Sequence, residues 1–109
     1  MKTLIDLLEH HSKNTPKKNA IITHNDALTY QQLSEQSSKF QNSLTDFSKN
    51  SVVSLMFENS TNFVVSYIGI LKAGLTAHII SPNISRQNLL FQIKNSNSQL
   101  LVTQNLDFT

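Results

Sequence analysis

The chain has 109 residues, 39% hydrophobic and 15% charged, with nine Lys and Arg against seven Asp and Glu. That supplies the core of one domain and excludes a disordered polyelectrolyte; a surplus of two positive charges, even with a pI near 9.1, makes no nucleic-acid footprint. Zero Cys excludes a disulfide scaffold, a thiolate zinc or iron–sulfur centre and a cysteine nucleophile, and two Gly with two Pro exclude a collagenous or Gly-rich linker protein.

Thr3 and Asp6 resemble a capping box with Asp in place of Glu. Leu4, Leu7, Leu8 and His11 follow at helical spacing, which predicts an amphipathic helix from Leu4 to Asn14 that stops at Thr15-Pro16. Asp6 and Glu9 interrupt any apolar leader, so no secretory signal is expected. Lys17-Lys18-Asn19 reads as a polar turn. Ala20 to Thr23 and Ala27 to Thr29 read as two short strands around an Asn25-Asp26 turn, a small hairpin. Thr29 and Gln32 form a second capping box. The helix behind it carries Tyr30, Leu33, Ser37, Phe40, Leu44 and Phe47 on one stripe and is expected to end near Ser48-Lys49-Asn50.

Val52 to Phe57 is nearly continuous apolar sequence, as in a strand covered on both faces of a parallel sheet. Glu58-Asn59-Ser60 turns the chain, with Ser60 as N-cap. Thr61 to Ala73 is predicted to be a helix that is apolar around most of its circumference, closed by Gly74. Leu75 to Ile80 is the next strand and Ser81-Pro82-Asn83 breaks it. Ser85 caps a helix to about Asn95, with Leu89, Leu90 and Ile93 facing inward, and Gln99 to Val102 is a last strand.

The fold class expected is therefore α/β, three-layered. A mainly parallel β-α-β-α-β sheet over 51–103 follows a helix, a hairpin and a helix over 3–50, all in one domain spanning 1–109. The apolar window from Phe63 to Ile80 contains Ser66, Gly69, Lys72, Gly74 and His78, so it reads as a buried helix and strand, and no membrane span is expected. Asn, Gln and Ser together make up 34 of the 109 residues and read as uncharged polar surface. A soluble, cytoplasmic protein is expected.

Catalytic sets are scarce. Gly69 lies inside a helix and Gly74 at its end, so neither builds a dinucleotide fingerprint or a Walker loop. His10 and His11 point about 100° apart on one helix and are poorly placed to share a metal. His11 reads as a packing residue and His24 as solvated. His78 is either a hydrogen-bonded core residue or a side chain lining a cleft at the carboxyl end of its strand. Ser60 reads as a helix cap rather than an anion site. Lys72 reads as a cation at the negative end of its helix, and Lys17-Lys18 as a solvated turn. The aromatics Tyr30, Phe40, Phe47, Phe63, Tyr67 and Phe91 sit at helix-core spacings. With Arg86 as the one Arg, they do not read as a base-stacking platform.

Leu28 to Leu33, Val53 to Ser60, Phe63 to Gly74, Ser81-Pro82 and Gln99 to Thr103, taken in that order, resemble segments of the N-terminal region of the adenylate-forming (AMP-binding) enzyme superfamily. Leu28 to Leu33 is similar to its L-T-Y-x-E-L segment, with Gln32 for Glu. Val53 to Ser60 resembles its apolar strand ending in N-S. Phe63 to Gly74 is similar to its F-x-x-x-x-x-G-x-L-K-A-G helix. Ser81-Pro82 stands where N-P or D-P is usual, and Gln99 to Thr103 resembles the following strand. The family includes acyl-CoA synthetases, fatty-acid–AMP ligases and the adenylation domains of peptide synthetases.

The resemblance implies part of an N-terminal subdomain of an enzyme that activates a carboxylic acid as its acyl-adenylate and transfers it to a thiol. The family's phosphate loop, adenine and ribose segments, hinge and C-terminal Lys lie beyond the matched region. No catalytic, cofactor-binding or metal residue is therefore assigned, ATP and Mg are expected for the full-length family enzyme alone, and the isolated chain is expected to be non-catalytic. Ala77 to Pro82 lacks the Tyr-Val-Pro pattern of amino-acid-adenylating domains, which tilts the reading toward an acyl-CoA synthetase of fatty-acid metabolism or another acyl-acid ligase. The alternatives are a stand-alone interaction module, an amino-acid-adenylating fragment, and a small Rossmann-like nucleotide binder, against which the missing Gly loop argues. The partners expected are a second copy of the chain, through an open sheet edge or apolar surface, the remaining ligase domains or a carrier protein.

Overall fold

The computed structural model describes residues 3–23, 26–57 and 60–103. His24, Asn25 and the Glu58-Asn59 turn lie outside them. Helix α1 (Leu4–Asn14) starts where Thr3 Oγ1 accepts the Asp6 N–H at 3.0 Å. It ends at Thr15, whose N–H donates to the His11 carbonyl at 2.8 Å, one residue before Pro16. Strands β1 (Asn19–Ile22) and β2 (Ala27–Thr29) pair antiparallel, with Ile21 opposite Leu28.

Every backbone donor at the head of α2 (Tyr30–Asn42) has a partner. Tyr30 N–H donates to the Lys18 carbonyl and Gln31 N–H to the Pro16 carbonyl, each at 3.0 Å. Gln32 N–H donates to Thr29 Oγ1 at 3.1 Å, and Gln32 Oε1 accepts the Thr29 N–H at 2.9 Å, closing the capping box both ways. The turn after α1 and the hairpin are thereby locked to the start of α2.

Helix α2 ends at Asn42, several residues short of the expected Ser48. Ser43 and Leu44 N–H groups donate three residues back, to Phe40 and Gln41, and the Ser43 hydroxyl also takes the Phe40 carbonyl at 2.6 Å. In the stretch Asn42-Ser43-Leu44-Thr45-Asp46, short polar side chains compete with the helix ladder for backbone partners. The apolar stripe continues through the turns nonetheless: Leu44 is buried and Phe47 half-buried.

Strands β3 (Val52–Met56), β4 (Thr76–Ile79) and β5 (Ser98–Thr103) form a parallel sheet in the order β4-β3-β5. The connection from β3 to β4 runs through α3 (Thr61–Lys72), and that from β4 back across β3 to β5 runs through α4 (Arg86–Ser96). The two connections step in opposite directions across the sheet, so the helices cover opposite faces. Val53 and Leu55 pack with Ile70, Leu44 and Leu75 on the α3 side. Met56 packs with Leu89 and Ile80 on the α4 side. The three layers expected from the sequence are present.

Helix α3 carries apolar residues nearly all round because both its faces are covered. Val65 and Ile68 join Leu8, Leu28 and Leu33 beneath α1 and the hairpin, while Ile70 joins the sheet cluster. Helices α2 and α3 run side by side in one direction: Gly69 lies against Ser37 and Phe40, and Gln41 Nε2 donates to the Lys72 carbonyl at 3.2 Å. On α4, Leu89 and Ile93 face the sheet, but Leu90 is 60% and Phe91 66% exposed. Both depart from the expected inward placement. A helix lying on one side of a sheet buries a single i, i+4 stripe, and positions one or two residues along turn away from it.

Three serines outside the apolar clusters form a chain between sheet and α4. Ser54 Oγ bonds Ser98 Oγ, which bonds Ser96 Oγ at 2.7 Å, and Ser96 donates to the Ile93 carbonyl at 3.2 Å. Among the described residues no buried side-chain N or O lacks a partner.

A Cβ at position 69 would stand 2.7 Å from Phe40 Cδ2 and 3.0 Å from the Ser37 carbonyl oxygen, so Gly69→Ala must push α3 off α2. The expected loss is about 1–3 kcal/mol of stability, read as a lower urea midpoint at unchanged slope. An unchanged midpoint contradicts the close packing.

Candidate functional site

In an open parallel sheet, the crevice where successive connections leave toward opposite faces lies at the carboxyl ends of the strands and is the ordinary ligand position. Here that point falls between β3 and β5, where the strand order reverses: the chain leaves β3 through α3 to β4 on one side and returns across β3 through α4 to β5 on the other. The backbone beyond the strands brings Phe57, Ser60 and Thr61 past β3, and Ile80 and Ser81 past β4, to this end of the sheet.

The described hydroxyls there are engaged within the fold. Ser60 Oγ accepts the Phe63 N–H at 3.2 Å as the α3 cap. Thr61 Oγ1 donates to Asp26 Oδ2 at 2.9 Å, tying the hairpin to the first turn of α3. Ser81 Oγ accepts the Asn83 N–H at 3.3 Å. On the other side of β3, Thr103 Oγ1 donates to the Met56 carbonyl at 2.7 Å. Met56 and Ile80, the strand-end residues pointing toward α4, are apolar and fully buried. A groove of about 530 Å³ beside Phe57 and Thr103 is bounded by Gln36, Lys39 and Phe40 of α2, by Ser43 just past its end and by Asn62 and Ser66 of α3.

The described residues of this edge do not fit a nucleoside triphosphate with its metal. Such a ligand needs main-chain N–H groups free to converge on phosphate oxygens, and cations beside them. Gly69 is committed to the contact with α2. Gly74, at φ +75°, ends α3 in the left-handed conformation that glycine adopts freely. Among the described residues no three His, Cys, Asp or Glu gather as metal ligands.

His78 is hydrogen-bonded but half-buried rather than core: its Nε2 lies 3.2 Å from Gln92 Oε1 on α4. His11 packs as expected, its ring stacked on Tyr30 with centroids 4.9 Å apart, and His10 meets His11 edge-on at 5.4 Å. Lys17 and Lys18 are exposed in the turn before β1. Lys72 departs from its expected place near the carbonyl end of α3. Its ammonium reaches across to α2, donating to the Ser34 carbonyl at 3.2 Å and Ser38 Oγ at 3.0 Å, and meets Glu9 of α1 at 3.5 Å. The side chain is 6% exposed, and its partners come from two other helices, which no local pattern around Lys72 reveals.

A family model described as "AMP-binding enzyme" matches residues 8–109. The chain belongs to this family. Among AMP-binding relatives, tyrocidine synthase 3 of Brevibacillus parabrevis is 31% identical over 94% of this chain and 2% of its own length. Zwittermicin A synthase ZmaJ of Bacillus cereus is 36% identical over 95% of this chain and 20% of its own. The chain thus spans a small part of the length of the curated relatives it matches. The fold is that of the N-terminal subdomain of adenylate-forming ligases. The Klebsiella oxytoca NpsA N-terminal subdomain superposes with a TM-score of 0.86 at 19% identity, over 98% of this chain and 29% of that one. The anthranilate CoA ligase AuaEII, in complex with anthranoyl-AMP, gives 0.86 at 23% identity over 91% of this chain and 20% of its own. No helix among the described residues is long and apolar enough to cross a membrane.

Within this AMP-binding fold the Asp26–Thr61 bond holds the hairpin over the head of α3. Thr61→Val keeps the shape and removes the donor, with an expected loss of about 1 kcal/mol. Adding Asp26→Asn to Thr61→Val should then cost less than Asp26→Asn alone, as a double-mutant cycle in urea would show. Strict additivity contradicts the tether.

Proposed function

We propose that this chain is part of the structural base of an enzyme that activates a carboxylic acid as its adenylate, and that the acid is an amino acid. The observation that carries the choice of acid is the sequence match to peptide synthetases such as tyrocidine synthase 3 and zwittermicin A synthase ZmaJ, at 31% and 36% identity over nearly all of this chain. The engaged hydroxyls and apolar strand ends at the carboxyl end of the sheet support a scaffold role, since they offer nothing to a phosphate in transfer. An acyl-CoA synthetase or fatty-acid ligase is the second reading. It is favoured by Ala77-His78-Ile79-Ile80-Ser81-Pro82, which departs from the amino-acid-adenylating pattern, and by fold likeness to a fatty acid AMP ligase from Legionella pneumophila, with a TM-score of 0.83 at 20% identity.

In this reading ATP and Mg are bound by the complete family enzyme through residues beyond those described here. Leu90 and Phe91, exposed on α4, and the outer edges of β4 and β5 support docking of this subdomain against the remainder of an adenylation domain.

The purified chain is expected to give no ATP–pyrophosphate exchange with amino-acid, aryl-acid or fatty-acid panels. Exchange above background by the chain alone overturns the scaffold role. Residues 3–103 placed in the matching stretch of ZmaJ should leave that protein's own acid-dependent exchange in place. The same stretch in the Legionella fatty acid AMP ligase should depress its exchange at least tenfold. The reverse ranking, with both chimeras folded, favours the fatty-acid reading.

A further inference from the structure

On the side of α3 away from the sheet, α1, β1, α2 and α3 enclose an apolar cleft of about 260 Å³. Leu8, Leu33 and Ile68, each 5% exposed or less, belong to both the first core cluster and the lining of the cleft. His11 and Tyr30 contribute a stacked ring pair, 4.9 Å between centroids and 25° between planes, and Tyr67 adds a third ring. The exposed Leu4 and Leu7 of α1 stand at its rim. No Asp, Glu, Lys or Arg is among its lining residues.

These features select an occupant. The lining is mostly hydrocarbon, with the His11 nitrogens and the Tyr30 and Tyr67 hydroxyls as its polar side-chain atoms, and an apolar cavity of about 150 Å³ is already known to accept benzene. The volume here suits one ring or two fused rings. The uncharged lining disfavours an ion, which would lose its hydration without a counter-charge. The ring faces of His11, Tyr30 and Tyr67 offer offset or edge-on contacts that reward an aromatic guest beyond its buried area. We propose that this cleft is a binding site for a small neutral aromatic molecule, from benzene to indole in size. It is separate from the crevice at the carboxyl end of the sheet, with α3 between them, and it stands whichever acid the family enzyme activates.

The test is titration of the ¹⁵N-labelled full chain with indole, followed by amide chemical shifts. Saturable shifts are expected in residues 4–11, 20–21, 30–33 and 64–68, with β3, β4 and β5 unmoved, and the melting temperature should rise with the logarithm of indole concentration. Ala20→Leu, which fills the cleft, should weaken binding at least tenfold. Leu7→Lys changes the exposed rim, where folding tolerates it, and should weaken binding at least fivefold. Absence of saturable shifts, shifts centred elsewhere, undiminished affinity in a folded Leu7→Lys chain, or a Phe-containing peptide that occupies the same residues at lower concentration than indole each overturns the proposal.

Discussion

The contact between α2 and α3 at Gly69 sets the rest of the structure. With no side chain there, the two helices approach until Phe40 and the Ser37 carbonyl lie within van der Waals reach of the Gly69 backbone, and Ser37 becomes fully buried. That approach places α3 between two layers, with Val65 and Ile68 among α1, α2 and the hairpin, and Ile70 among the sheet residues. Both clusters then draw on one helix. Lys72 completes the arrangement. Its buried ammonium is stabilised by oxygens from α2 and by Glu9 of α1, so three helices meet at one charge. A buried cation of this kind is weak evidence for net stability, because desolvation offsets much of the attraction, but removing its acceptors would be costly. Its clearer effect is to fix how the helices sit.

Much of this architecture was legible because local rules and tertiary demands agree. The Thr29–Gln32 box, the Ser60 and Ser85 caps and the Gly74 terminus are short-range signals, and each is used as read. The all-round apolar character of 61–73 has its cause in the two-sided burial of α3. What the sequence hid depends on distant partners. Periodicity carried α2 to Ser48, yet the hydroxyl and amide side chains after Phe40 divert the backbone while leaving Leu44 and Phe47 in the core. Leu90 and Phe91 share a run with Leu89, and hydrophobicity alone does not tell which of three adjacent positions meets the sheet. The Ser54–Ser98 and Asp26–Thr61 bonds join residues tens of positions apart and leave no trace in spacing.

The candidate site was partly legible in the same sense. The parallel order of β4, β3 and β5 places a crevice at their carboxyl ends, as the β-α-β pattern implies. The residues there then decide what it does. Ser60 and Thr61 serve the helix cap and the hairpin tether, and Met56 and Ile80 close the strand ends with hydrocarbon. His78, the one ambiguous side chain, is held by Gln92. Fold alone does not confer function. The chain belongs to the AMP-binding family, and the function proposed for it gives this region a supporting role, with the chemistry carried by residues beyond those described.

The claim that α3 unites both halves is tested most directly by native-state hydrogen exchange across a urea series. Amides of α3 and of β3 should exchange only through the global opening, with one free energy and one urea slope, while the hairpin and α1 open at lower cost. Exchange of α3 through a separate, lower-energy opening with the sheet still protected would contradict the account, because the sheet would then keep its core without the helix assigned to both layers.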